Sequence, residues 1–243
     1  MQNSLKIAVL SASFGLASIS SAALVTVDAA TLTGPTSGGL FTGDTTIDDV
    51  TIGGTTFPVL TATGAATTGA ATWSFVGTDP LSLSAAVTGP RVDTGANNIA
   101  TADLTFARNI ADGEQIFIID FTTVGGSFDD VTVQATSGGT PIGTPFVIPV
   151  GAAPALGTLE SPSRESDTIP NQSDLPNLDL VGFALSLSDL GVTAGDNVDG
   201  VLLSDSGTSF DLTAAGIAVV PEPTSAGVIA LGGLLLLARR ARD

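Results

Sequence analysis

Glu114-Gln-Ile-Phe-Ile-Ile-Asp-Phe-Thr-Thr123 is the stretch that decides the fold. Successive side chains of an extended chain point to opposite faces, so Phe117, Ile119 and Phe121 share one face while Ile116 and Ile118 take the other. A strand that is apolar on both faces belongs in the interior, covered from both sides. Arg108 to Gly113 turns the chain into it, and Leu104 and Phe106 before that turn alternate with Asp103 and Thr105.

Working outward, the hydrophobic period stays at two wherever it can be read, and a helical period never holds over a long window. Upstream, Trp73 and Phe75, then Leu81, Leu83, Ala85 and Val87, alternate with small and polar residues across the turn residues Gly77 to Pro80. That arrangement predicts a hairpin. Downstream, Val131, Val133 and Ala135 form a half-buried strand and Phe146 to Val150 another. From Gly151 to Asn177 the pattern fails, and Pro154, Pro162, Pro170 and Pro176 punctuate a polar run, which reads as one long loop. Leu178 and Leu180 then give way to the opposite parity at Phe183, Leu185 and Leu187, with Gly182 at the change, as a β-bulge would require. Val198 to Leu203 and Phe210 to Val219 complete the body. Many short strands joined by Gly, Thr, Ser and Asp turns predict an all-β fold, a two-sheet sandwich of jelly-roll type. The echo of Asp48-Asp-Val-Thr51 in Asp129-Asp-Val-Thr132 is its only trace of repetition, too little for a solenoid.

Composition narrows the chemistry. The chain has no His, Cys or Tyr, and its single lysine is Lys6, which removes imidazole and thiolate metal ligands, the common general bases, the thiolate and amine nucleophiles and the histidine that a serine triad needs. Disulfides are excluded as well, so the fold stands on packing. A carboxylate pair of glycosidase type is what survives, but Asp48 with Asp49 and Asp129 with Asp130 are neighbours that a regular strand sends to opposite faces. The expectation is no enzyme. Residues 24–220 hold all but Glu222 and Asp243 of the 24 acidic residues, with only Arg91, Arg108 and Arg164 as bases. Such a body repels nucleic acid and keeps itself soluble by charge. The one tryptophan, Trp73, alternates with Phe75 as a core residue rather than a sugar-stacking platform. Asp196, Asn197 and Asp199 before Gly200 gather oxygen atoms in a tight turn, the donor type calcium takes. Asp196 and Asp199 are therefore the candidate metal ligands, although the spacing is not that of an EF-hand and such clusters also serve as plain turns.

The two ends carry addresses. Met1 to Lys6 followed by the apolar Ile7 to Ile19 and the small residues Ser20 to Ala23 reads as a secretory signal helix over residues 1–23, cut after Ala22 or Ala23. At the other end Pro221, Glu222 and Pro223 stop any strand or helix. Thr224 to Ala238 is an uncharged hydrophobic helix of about 22 Å at about 1.5 Å per residue, short against a hydrocarbon core of about 30 Å. Arg239, Arg240 and Arg242 follow it as a basic stop, held on the cytoplasmic side.

The order of triplet, short span and arginine cluster over residues 221–243 resembles the sorting tail of exosortase-processed surface proteins, the PEP-CTERM family. The resemblance implies a bacterial envelope protein anchored in the inner membrane by its tail. It further implies cutting near Pro221 to Pro223 by an exosortase-like membrane transpeptidase, then release to the cell surface or extracellular matrix. With the composition, the expected function is that of a non-enzymatic exported surface or matrix protein, associated with exopolysaccharide and holding no cofactor. A carbohydrate-binding or calcium-dependent adhesion module exported by the same route is the alternative.

Overall fold

The computed structural model describes residues 25–42, 44–74, 82–126, 129–149, 151–160, 177–205 and 210–220. The expected signal segment and the whole sorting tail, Pro221 to Asp243, lie outside the described residues. The chain forms β1 (Val25–Thr33), β2 (Thr36–Ser37), β3 (Leu40–Phe41), β4 (Thr46–Ile52), β5 (Thr55–Thr61) and β6 (Gly64–Ser74), then the single helical turn α1 (Leu83–Ala86). There follow β7 (Thr94–Thr105), β8 (Gln115–Thr123), β9 (Val131–Ser137), β10 (Thr140–Ile148), β11 (Gly157–Leu159) and β12 (Leu178–Ser186). A 3-10 turn at Ala194–Asp196 leads to β13 (Gly200–Asp205) and β14 (Leu212–Ala218).

The decisive stretch is the central strand its pattern predicts. β8 lies antiparallel between β12, paired from Leu178 opposite Thr123 to Ser186 opposite Gln115, and β14, paired from Leu212 opposite Asp120 to Ala218 opposite Gln115. Antiparallel pairs then run β12 to β1, β1 to β4, β4 to β5 and β5 to β14. The ring closes after six strands, so β8, β12, β1, β4, β5 and β14 make a barrel. Phe117, Ile119 and Phe121 fill its interior with Val27, Val50, Ile52, Leu180, Ala184 and Ala214.

The opposite face of β8, with Ile116 and Ile118, belongs to a second core. A five-stranded antiparallel sheet in the order β10, β9, β13, β7, β6 covers it. Val131, Val133, Val201, Leu203, Ile99 and Leu104 from that sheet meet Ile116, Ile118, Val181, Phe183 and Leu185 from the barrel wall. Each face of β8 therefore faces its own core, and the two cores share one wall.

Closure is where the expected jelly-roll sandwich fails. A sandwich leaves two open sheets, whereas here the β1–β4–β5 meander spans from the outer edge of β12 to that of β14 and removes both edges. The predicted hairpin fails too: Leu83–Ala86 is helical, with the Ser82 side chain accepting from the Ala85 amide at 3.2 Å as an N-cap. Leu83, Ala86 and Val87 face the core at helical spacing while Ala85 is exposed, and β6 pairs with β7 instead.

Nor is there a bulge at Gly182, for the β8–β12 register is continuous. The parity change arises because both faces are buried: Leu178, Leu180 and Ala184 point into the barrel and Val181, Phe183 and Leu185 into the second core. Gly182 faces the barrel, where an added Cβ would lie 2.7 Å from Ile119 Cδ1 and 3.2 Å from Val27 Cγ2. One of the irregularities that do occur is in β4, where the register against β1 slips between Thr31 and Leu32. Ile47 and Val50 are both buried as a result, and Asp48 and Asp49 between them are carried outside together rather than to opposite faces. Within the expected 151–177 loop, Gly157–Leu159 forms β11 against β12.

Candidate functional site

Two ends of the barrel carry the chemistry. At the end where β8 begins lie the last described residues, up to Val220. The last residues of β14 pair with Gln115, Ile116 and Phe117 of β8, the Val219 amide donates to Pro58 O at 2.9 Å, and Val220 is the last described residue before the Pro221 to Pro223 triplet. Val25, where the described chain begins, pairs with Ala184, which itself lies opposite Phe117. Val25 and Val220, the first and last described residues, thus sit at one end.

This end is fastened by Glu114, whose side chain is 4% exposed. Arg108 grips it with both terminal nitrogens, Nη1 to Oε2 at 2.7 Å and Nη2 to Oε1 at 2.6 Å. The Ala111 amide donates to Oε2 at 2.7 Å and the Val220 amide donates as well. Burial alone would push this carboxyl up, but the Arg108 hydrogen bonds and charge with the two amides hold it below its ordinary range. Val220 is therefore tied to the turn that starts β8.

The opposite end is acidic. Asp120 alternates with Ile116 and Ile118 and so points into the second core; its cross-strand neighbours Val181 and Leu212 belong to that core as well. It is fully buried, its Oδ2 receives the Asp129 amide at 3.4 Å, and its Oδ1 has no hydrogen-bond partner. Burial first, then the charges of Asp211 and Asp129, raise this carboxyl well above the usual range. Asp129 is pushed up to about 6 by burial and by Asp130 and Asp205. These groups come from β8, from the residue before β14, from the approach to β9 and from the end of β13, where barrel and covering sheet meet. The sequence signal for Asp120 was its isolation, the single charge inside the apolar run of 115–123.

The predicted calcium ligands lie elsewhere and face different partners. Asp196 Oδ2 accepts from the Thr193 amide at 2.7 Å and from Thr193 Oγ1 at 2.9 Å, closing a capping box on the 3-10 turn. Both Asp199 oxygens receive the Gly138 amide, at 3.0 and 3.2 Å, pinning the β9–β10 hairpin. Asn197 between them takes the left-handed conformation, φ 54°. Among the described residues no three acidic groups converge as a metal would require, and no helix is long and apolar enough to cross a membrane. Trp73 lies in β6. Pro221, Glu222 and Pro223, expected to form a sorting motif, and Arg239, Arg240 and Arg242, expected to form a membrane stop, fall outside the described residues. The chain matches no family model, no curated protein and no solved structure.

Proposed function

We propose that this is a non-enzymatic, exported surface or matrix protein whose β body is delivered on a C-terminal membrane anchor and freed by cleavage near Pro221 to Pro223. The observation that carries the reading is the handover at Val220: β14 runs to within a few residues of the triplet, and Glu114 and Pro58 fasten those residues to the barrel. A processing enzyme acting at the triplet would cut beside a firmly held barrel end, at residues whose two prolines restrict the backbone. The acidic cluster at the other end would then face away from anionic lipid, the orientation charge favours. A chain without His, Cys or Tyr supports the non-enzymatic part.

Intact mass of the exported protein tests the reading. The expected mature form begins after Ala22 or Ala23 and lacks Leu234 to Arg242. Recovery of that apolar and basic segment on the released protein would defeat the processing step. Replacing Arg239, Arg240 and Arg242 with neutral residues should release the precursor from the membrane, because nothing basic would hold the short span on the cytoplasmic side.

A further inference from the structure

We propose that Asp120 is a proton-operated lock between the barrel and its covering sheet: with a proton on its carboxyl the two layers pack tightly at the acidic end, and without it they loosen. Geometry gives the reason. Asp120 projects from the shared wall into an apolar core, fully buried, with one oxygen unpartnered. Val181 on β12 and Leu212 on β14, its two cross-strand neighbours, offer no polar group of their own side chains. Among the described residues the charged groups that face this end are acidic: Asp211 ahead of β14, Asp129 and Asp130 ahead of β9, and Asp205 at the end of β13. Asp179, two pairs further along β12, is already occupied by the Gly125 amide at 3.0 Å and Thr158 Oγ1 at 2.7 Å. The described arginines are paired with other acids, Arg91 with Asp93 and Asp44 and Arg108 with Glu114. Among the described residues a carboxylate here has no counter-charge, so neutralisation by a proton is the state the packing accepts.

The sign follows from linkage. Asp120 and Asp129 bind protons more tightly folded than unfolded, so their stabilisation is fully present below the unfolded carboxylate range, near pH 4, and is lost as pH rises through the folded values. For Asp129 that loss begins near pH 4 and is complete just above pH 6, and Asp120, raised in the same direction, adds to it.

The experiment is thermal unfolding of the full body between pH 5 and 8, wild type against Asp120→Asn, a neutral shape-mimic of the protonated acid. The wild-type Tm should fall by about 3 °C or more over that range, and the variant should lose much less and exceed wild type at pH 8. Parallel profiles for the two proteins would overturn the proposal. So would rescue of wild type, but not the variant, by 1 mM calcium at pH 8, which would make the site a cation site instead. Should the variant fail to fold, the wild-type protein decides. Its Asp120 carboxyl carbon should keep the protonated chemical shift above pH 5. The Ile99 amide, which bridges the layers by donating to Phe210 O at 2.9 Å, should lose protection between pH 5 and 8 after correction for intrinsic exchange. A carboxyl that titrates in the ordinary range, or an unchanged Ile99 protection, would overturn it.

Discussion

Glu114 and Asp120 stand on the same strand or its threshold, six residues apart, and their surroundings drive them in opposite directions. Glu114 is kept ionised in a nearly dry place by a bidentate arginine and two amides, while Asp120 has acids for neighbours and an unpartnered oxygen. Truncating one partner of a buried pair costs about 3–5 kcal/mol, but Arg108 is 40% exposed and solvent screens part of the interaction. Arg108→Ala should therefore lower stability by about 1–3 kcal/mol at pH 7, read from urea unfolding midpoints. The pH dependence has a definite sign. A carboxyl held below its ordinary value of 4.5 contributes stability above the unfolded value, and that contribution disappears as pH falls through the folded one. Wild type should accordingly lose this advantage in acid, and the gap between the two proteins should narrow as pH drops below about 4. A constant gap from pH 7 to pH 3 would mean that Arg108 acts by packing alone.

The central strand owes its position to glycines on its neighbours. Each inward residue of β8 lies over one: Phe117 over Gly216 of β14, Ile119 over Gly182 of β12 and Phe121 over Gly95 of β7. At Gly216 an added Cβ would stand 2.5 Å from Leu60 O and 2.8 Å from the Phe117 ring, backbone and buried aromatic that cannot move aside. At Gly182 it would meet only the ends of the Ile119, Leu156 and Val27 side chains. Gly216→Ala should thus cost about 1–3 kcal/mol and Gly182→Ala less, measured as the ordering of denaturant midpoints. Equal losses, or the reverse order, would remove the seating argument. The same glycines mark the limit of what the sequence discloses. Alternation is a local property, so the two-faced character of 114–123 and the strands at Val131, Gly200 and Leu212 were legible from it. Which strand closes against which is non-local, and the ring through β1, β4 and β5 left no mark that alternation could reveal. Gly182 looked like a bulge because a strand buried on both faces changes apparent parity without changing register. Ser82 to Val87 misled for another reason: small residues let Leu83, Ala86 and Val87 satisfy a helical spacing and Leu83, Ala85 and Val87 a strand spacing at once. Asp120 was visible as a lone charge, but its burial depends on Val181 and Leu212, contributed from far along the chain.

At the scale of the whole body the dominant fact is charge. Acidic residues far outnumber Arg91, Arg108 and Arg164 over residues 24–220, and like charges at this density repel one another across the surface and weaken the compact state. Screening acts over about 10 Å at 0.1 M salt, so sodium chloride raised from about 0.01 to 0.1 M should increase the melting temperature. A calcium site at Asp196 and Asp199 would respond in a different way. It would raise the melting temperature at sub-millimolar calcium, well below the concentration that screening needs, through binding to the folded state alone. The positions of these carboxylates argue against that response. Asp196 already caps its own turn through Thr193 and Asp199 already holds Gly138 of the neighbouring hairpin, so each would have to surrender backbone donors to coordinate a shared ion. The expected result is a sodium response with no additional calcium shift, and the same sodium response in the Asp196→Asn, Asp199→Asn double variant. A sub-millimolar calcium shift that vanishes in the double variant, with the sodium response intact, would replace the structural reading with a calcium-dependent surface module.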